Sequence, residues 1–156
     1  PEREERNCED MESLHYLLMK THTMLNKKIV SGAGELGLTS GQPKVLDFLT
    51  EHEGCDQKTI AAYCEIEPAT VGSILLRMEN QGMIRRIQHP GNRRSLFVYL
   101  TEQGRKAAKE MAKVFDSCEE EAAGSLPGEE LEELKILLTK LWGNLSGKQQ
   151  DPSEET

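Results

Sequence analysis

Between residues 68 and 113, nine cationic side chains (Arg77, Arg85, Arg86, Arg93, Arg94, Arg105, Lys106, Lys109 and Lys113) stand against three acids, Glu79, Glu102 and Glu110, a local balance of +6. The chemistry open to such a cluster is neutralisation of a polyanion, above all the phosphates of nucleic acid. The rest of the 156-residue chain holds ten bases and 24 acids, or −14, which with the cluster makes the overall −8. Charge is therefore polarised along the chain, and one region attracts an anion that the remainder repels.

Other chemistries find little footing. His15, His22, His52, His89 and the four cysteines, Cys8, Cys55, Cys64 and Cys118, supply metal-ligand types. No two of them stand at Cys-x-x-Cys or His-x-x-x-His spacing, and His52 and Cys55 lack recognisable further partners, so no metal is expected. There is no glycine-rich phosphate loop, nucleophile elbow or carboxylate pair at acid–base spacing, which argues against an enzyme and against a bound cofactor. Cysteines this far apart, in a chain too long to need a disulfide framework, fit reduced thiols in a cytoplasmic protein. No run approaches about 18 apolar residues, and the acidic first ten residues lack the order of a secretion signal, so neither membrane insertion nor export is expected. A hydrophobic content of 37% with 4% aromatics suffices for a single domain with one modest, aliphatic core.

The elements that must position the cations follow from periodicity. Met11, Leu14, Leu18, Leu25 and Ile29 recur at helical spacing, with Leu17 and Met24 alongside, so residues 7–30 read as a long helix ending at Ser31-Gly32-Ala33-Gly34. Thr39 or Ser40 can cap a second helix, with Pro43 in its first turn and Val45, Leu46, Phe48 and Leu49 on its apolar face. Asp56 caps a short third helix over 57–63, with Ile60 and Ala61 inward. Pro68 opens a fourth, over 68–81, with Val71, Ile74, Leu75 and Met78 as its buried stripe and Ala69, Thr70, Ser73 and Arg77 on the opposite face. Gly72 inside that helix calls for a reason, and close packing on a neighbouring helix is favoured over close approach of DNA.

After Gly82 the pattern changes to two strands, 83–88 and 95–100, joined by His89-Pro90-Gly91-Asn92 and followed by Arg93-Arg94: a hairpin with a basic tip. Thr101 caps a fifth helix in which Ala108, Met111, Phe115, Cys118 and Ala122 repeat every three or four residues, until Gly124 to Gly128 break it. In the last helix Leu131, Leu134, Leu138, Leu141 and Leu145 form a stripe widened by Leu137 and Trp142, with Glu129, Glu130, Glu132 and Glu133 near its positive end. Such a face needs a partner, and a homodimer is the simplest one.

Three short helices followed by a basic hairpin make a winged helix-turn-helix, within a mainly α fold that carries a small β-hairpin wing (α+β). The expected layout is a single domain with dimerisation helices at 7–31 and 101–146, a DNA-binding lobe at 39–100 and a disordered tail at 147–156. The helix over 68–81 would enter the major groove, with small and hydroxyl-bearing groups at its start and Arg77 further along for phosphate or guanine.

The run Pro-Ala-Thr-Val-Gly-Ser-Ile-Leu-Leu-Arg-Met-Glu-Asn-Gln-Gly-Met-Ile-Arg-Arg (68–86), then His-Pro-Gly-Asn-Arg-Arg-Ser (89–95) and Val-Tyr-Leu-Thr-Glu-Gln-Gly (98–104), resembles the signature of MarR-type transcription regulators. The resemblance implies an obligate dimer on a pseudo-palindromic operator in double-stranded DNA, the fourth helix in the major groove and a wing arginine in the minor groove. By motif position that arginine is Arg94, supported by Arg93. It implies further a repressor released by a small aromatic or anionic effector, with target genes for efflux or stress responses.

The family usually has aspartate two residues before the wing arginine, and this chain has Asn92, which accepts a hydrogen bond but brings no charge. His15 and His22, seven apart, share a helix face that in this family overlooks the cleft between dimer helices and DNA-binding lobe, which makes them candidate effector contacts. Some family members sense peroxide through a cysteine near the start of the first helix, and Cys8 lies near that place. Glu9 and Asp10 would raise its pKa, against the helix N-terminus that lowers it. A thiol-sensing regulator using Cys8, or a winged-helix protein-interaction module that does not bind DNA, are the alternatives.

Overall fold

A computed structural model describes residues 11–148. Cys8, the first residues of the expected first helix and residues 149–156 of the expected tail lie outside the described residues. Six helices, α1 (Leu14–Glu35), α2 (Gln42–Glu51), α3 (Gln57–Cys64), α4 (Pro68–Asn80), α5 (Glu102–Ala123) and α6 (Gly128–Ser146), accompany three strands, β1 (Cys55–Asp56), β2 (Ile84–His89) and β3 (Asn92–Leu100). The sheet is antiparallel in the order β1-β3-β2. The expected mainly helical fold with a hairpin wing is therefore present, with one strand more than the sequence suggested. β1 is too short to carry a period-2 signal; Cys55 pairs with Val98 and Asp56 with Phe97.

The first of two compact units ends at Cys118. Its core gathers Val45, Leu46 and Leu49 of α2, Ile60 of α3, and Val71, Leu75 and Met78 of α4. Ile84 of β2, Val98 and Leu100 of β3, and Met111 of α5 complete it. Burial of these aliphatic side chains, roughly 1.5–3 kcal/mol each, holds the short helices that would not persist alone.

Local signals fix the ends. Asp56 Oδ1 accepts hydrogen bonds from Thr59 N–H at 2.8 Å and from its hydroxyl at 2.7 Å, capping α3 as expected. Thr101 caps α5: its hydroxyl accepts from Gly104 N–H at 3.0 Å and donates to the Gly82 carbonyl at 2.6 Å. A Cβ at Gly104 would sit 2.0 Å from the Met83 carbonyl oxygen, so only glycine lets α5 start this close to the backbone just before β2.

Several helix boundaries differ from expectation: Met11, Glu12 and Ser13, expected within the first helix, precede α1, whose N-cap is Ser13. Residues 31–34 do not break α1, which continues to Glu35. Gly32 and Ala33 are small because α5 lies against them: Ala33 is buried, and a Cβ at Gly32 would meet Val114 Cγ1 at 2.5 Å. Tertiary contact overrides glycine's poor helix propensity there. Nor do Thr39 and Ser40 cap α2. The N-cap is Gly41 at φ +82°, and the Gln42 side chain reaches back to accept the Thr39 N–H at 3.1 Å. Gln42 is buried and satisfied, its amide donating to Gln81 Oε1 at 2.9 Å. α4 closes at Asn80, the two strands are offset from expectation by one to three residues, and Asn92, Arg93 and Arg94 belong to β3 rather than to the turn.

The second unit begins at Glu119 and contains α6. α6 has no buried residue; Leu134, Leu137, Leu138 and Trp142 are each exposed, and Leu145 is 88% exposed.

Candidate nucleic-acid interface

α4 separates its faces cleanly. Val71, Leu75 and Met78 are fully buried, while Ala69, Thr70, Ser73 and Arg77 are all exposed. Ile74, expected on the buried stripe, is only half-buried: it sits at the helix edge over Gly41, where an added Cβ would lie 2.4 Å from its Cδ1. The exposed face also contains Leu76, 49% exposed, which the sequence analysis did not single out. Its signal was present in the spacing, because Ala69, Ser73, Leu76 and Asn80 stand at i, i+4, i+7 and i+11, one ridge along a helix. Gly72 faces Gln57 at the start of α3, but not at the close approach that the favoured expectation of tight helix packing required. A Cβ there would meet only the Gln57 amide nitrogen, at 4.0 Å, so a substitution penalty of about 1 kcal/mol relative to alanine is borne without a steric reason inside the chain.

The hairpin turns at Pro90-Gly91, with Gly91 at φ +84°, a conformation that favours glycine. Asn92 Oδ1 accepts the backbone N–H groups of Arg94, at 3.3 Å, and Ser95, at 3.2 Å. The side chain standing where the family has aspartate thus orders the backbone that carries Arg94. Gln88 donates to the Arg93 carbonyl at 3.3 Å across the hairpin. His89 lies flat on Phe97, centroids 3.8 Å apart and planes 5° from parallel, with Nε2 3.0 Å from the Tyr99 hydroxyl. That stack stiffens the hairpin below its tip. Arg93 and Arg94 remain exposed, and Arg94 with Lys58 and Gln57 borders a small hollow between the wing and the start of α3.

Not all nine cations are available to an external anion. Arg86 is turned inward: Nη2 donates to Glu79 Oε1 at 3.1 Å, Nε to Oε2 at 3.3 Å, and Nη1 to Gln57 Oε1 at 3.0 Å. Hydrogen bonding from Arg86 holds the Glu79 carboxyl below the usual range. Arg105 pairs with Glu53 at 2.8 Å and Lys113 with Glu110 at 3.0 Å. Burial pushes the Glu53 carboxyl up, but hydrogen bonds from Arg105 and the Leu100 N–H outweigh it, so that carboxyl too is lowered. Arg77, Arg93 and Arg94 make no ion pair with the described residues, and all three are exposed on α4 and the wing.

A cleft of about 470 Å³ runs between α1, the start of α2 and the edge of α4. It is walled mainly by apolar groups, among them Ile29, Ile74 and Phe115, with His22, Lys44 and Thr70 as polar groups. Of the two histidines expected there, His22 lines the cleft. His15 is not among the lining residues; it lies near the start of α1, its Nδ1 3.2 Å from the Ser13 hydroxyl and its ring 4.5 Å from that of Tyr16. His52 stacks on Phe48 at 4.5 Å, and among the described residues no three ligand-type side chains gather to hold a metal. Cys55 is half-buried and Cys64 buried, and burial pushes both thiols up. No helix among the described residues is long and apolar enough to cross a membrane.

A sequence profile of the MarR family matches residues 38–96. Transcriptional regulator HosA of Escherichia coli O111:H- is 35% identical over 104 residues, covering 67% of this chain and 77% of that protein. The HTH-type transcriptional repressor Mb2911 of Mycobacterium bovis is 27% identical over 128 residues, or 82% of this chain and 92% of the relative. Among solved structures, the chain is similar to the S. aureus MepR-DNA complex, with a TM-score of 0.78, 25% identity, and coverage of 86% of this chain and 99% of that one.

Proposed function

The chain belongs to the MarR family of transcriptional regulators, and from that premise we propose that it is a repressor which binds a pseudo-palindromic duplex as a homodimer and is released by a small effector. One observation carries this reading: Arg77, Arg93 and Arg94 are exposed on a groove-sized helix and a hairpin tip and make no ion pair with the described residues, whereas Arg86 of the same segment is turned inward and Arg105 is paired with Glu53. α4 enters the major groove, with Ala69, Thr70 and Ser73 allowing close approach and Arg77 reaching phosphate or guanine. The wing, its backbone held by Asn92, delivers Arg94 to the minor groove with Arg93 on the flanking phosphates.

Dimerisation is the role assigned to α1, α5 and α6. α1 exposes Leu14, Leu17, Leu18 and Met24, and α6 exposes Leu134, Leu137, Leu138 and Leu145, more apolar surface than a stable monomer ordinarily leaves uncovered. Two copies would present two α4 helices about one duplex turn apart.

The cleft lined by His22 and Lys44 is the proposed effector site. Its walls are apolar and its cation suits a small aromatic anion. Thr70 and Ile74 of α4 form part of its lining, so a ligand seated there bears directly on the reading helix and can shift the population away from the operator-competent spacing. Sequencing of duplex fragments selected by the purified protein tests the proposal. A palindromic site with half-sites one turn apart is expected; recovery of no duplex would leave a protein-interaction module instead.

A further inference from the structure

The fold accounts for neither Leu76 nor Gly72. A single exposed leucine is ordinary on a protein surface. This one stands on the outer ridge of α4, between Ser73 and Asn80, on the side opposite Val71, Leu75 and Met78. Helical side chains lean toward the N-terminus, so Leu76 lies over the turn that carries Gly72 and Ser73. Gly72 is helical, without the positive φ that would demand glycine, and an added Cβ would approach only the Gln57 amide, at 4.0 Å. A glycine in a helix interior is unfavourable relative to alanine, and here neither backbone conformation nor internal packing asks for it.

We propose that Leu76, beside the side-chain-free backbone of Gly72, forms an apolar reading element that recognises thymine C5-methyl groups in the major groove of each half-site. This rests on the duplex-binding reading above and adds to it a base class and the residues that select it. The thymine methyl is the apolar feature on the major-groove edge of the base pairs, and it distinguishes T·A from C·G where a hydrogen-bonding side chain is absent. Leucine supplies the contact surface, and the missing Cβ at position 72 leaves room for the methyl beside it. Ser73 and Asn80, on either side, carry the polar groups for neighbouring base edges.

The test replaces the thymines of a selected duplex one at a time with deoxyuridine, which keeps every hydrogen-bonding group and removes only the methyl. At one or two positions per half-site the substitution is expected to weaken wild-type binding about fourfold, equivalent to about 0.8 kcal/mol for one methyl-sized group. Leu76→Ala should bind more weakly yet be indifferent to deoxyuridine at those same positions. Gly72→Ala, which places a methyl group beside Leu76, should raise the urea midpoint while losing the same discrimination. Wild type that binds the fully deoxyuridine-substituted duplex undiminished, or Leu76→Ala that keeps the wild-type preference, overturns the proposal while leaving duplex binding intact. Binding to no duplex at all overturns both.

Discussion

Asn92 and Arg94 are joined through the backbone rather than through the guanidinium: the Asn92 side-chain oxygen accepts the Arg94 N–H at 3.3 Å. The arginine at the hairpin tip is thereby set in place by a neutral residue, and its exposed side chain makes no ion pair with the described residues.

Asn92→Ala should therefore weaken duplex binding several-fold while changing stability by less than about 0.5 kcal/mol, because the residue is exposed. Asn92→Asp, which keeps both acceptor bonds, should stay close to wild type. Fluorescence anisotropy with a selected duplex, read beside urea denaturation, checks both. An affinity of Asn92→Ala equal to wild type would remove the turn from the mechanism.

Arg86 and Arg94 should behave oppositely although both lie in the basic segment. Arg86→Ala strands Glu79 and Gln57 without their half-buried donor and should lower stability by roughly 1–3 kcal/mol. Arg94→Ala should leave the urea midpoint unchanged and reduce affinity at least about tenfold, the scale of a lost groove contact. If both substitutions shift the urea midpoint, or both only the affinity, the assignment of Arg86 to the fold and Arg94 to the interface is wrong.

Much of this layout was legible in the sequence because helical periodicity and end signals agree. Asp56 and Thr101 cap the helices they were expected to cap, and the Val71/Leu75/Met78 stripe is the buried one. What escaped depends on contacts distant in sequence. Gly32 and Ala33 read as a stop because nothing nearby announces Val114, 82 positions after Gly32. Arg86 reads as a free cation because Gln57, one of its acceptors, lies 29 residues away. Cys55–Asp56 is too short for any strand pattern, and its identity as a strand comes from Val98 and Phe97. Leu76 is easy to miss because the outer face of α4 is recognised by its small, hydroxyl-bearing and cationic groups, although the register of the buried stripe places Leu76 on that face as well.

Gly104 and Gly34 offer a contrast in glycine chemistry. Gly104→Ala places a Cβ 2.0 Å from the Met83 carbonyl oxygen and should destabilise by about 3 kcal/mol or more, since a backbone atom must move. Gly34→Ala has nothing within 4 Å and lies inside α1, so it should stabilise by roughly 0.5–1 kcal/mol. Thermal and urea unfolding of the two variants measures the difference. Equal effects would mean that α5 does not start against the Met83 backbone as described.

Acid should loosen the DNA-binding lobe through three carboxylates. Glu79 is lowered by hydrogen bonds from Arg86 and Asp56 by those from Thr59; in Glu53 the bonds from Arg105 and Leu100 overcome burial. A depressed folded pKa contributes stability that is complete above the unfolded value near 4 and is lost as pH falls through the folded value. Asp47, whose carboxyl is pushed up by burial and by neighbouring Glu51 and Asp116, acts with the opposite sign, so the urea midpoint should decline below about pH 5 less steeply than the three lowered carboxylates alone would give, with Glu79→Gln flattening part of that decline. A midpoint rising on acidification through this range would contradict the assignment.

The salt dependence of duplex affinity tests the central claim most directly. Arg77, Arg93 and Arg94 from two copies should release counterions on binding, so the logarithm of the association constant should fall against the logarithm of salt concentration with a slope of about −4 or steeper. Arg94→Ala should make that slope shallower. A slope near zero for the wild-type protein would mean that the exposed arginines of α4 and the wing do not meet phosphate, and the account of this chain as a DNA-binding regulator would be contradicted.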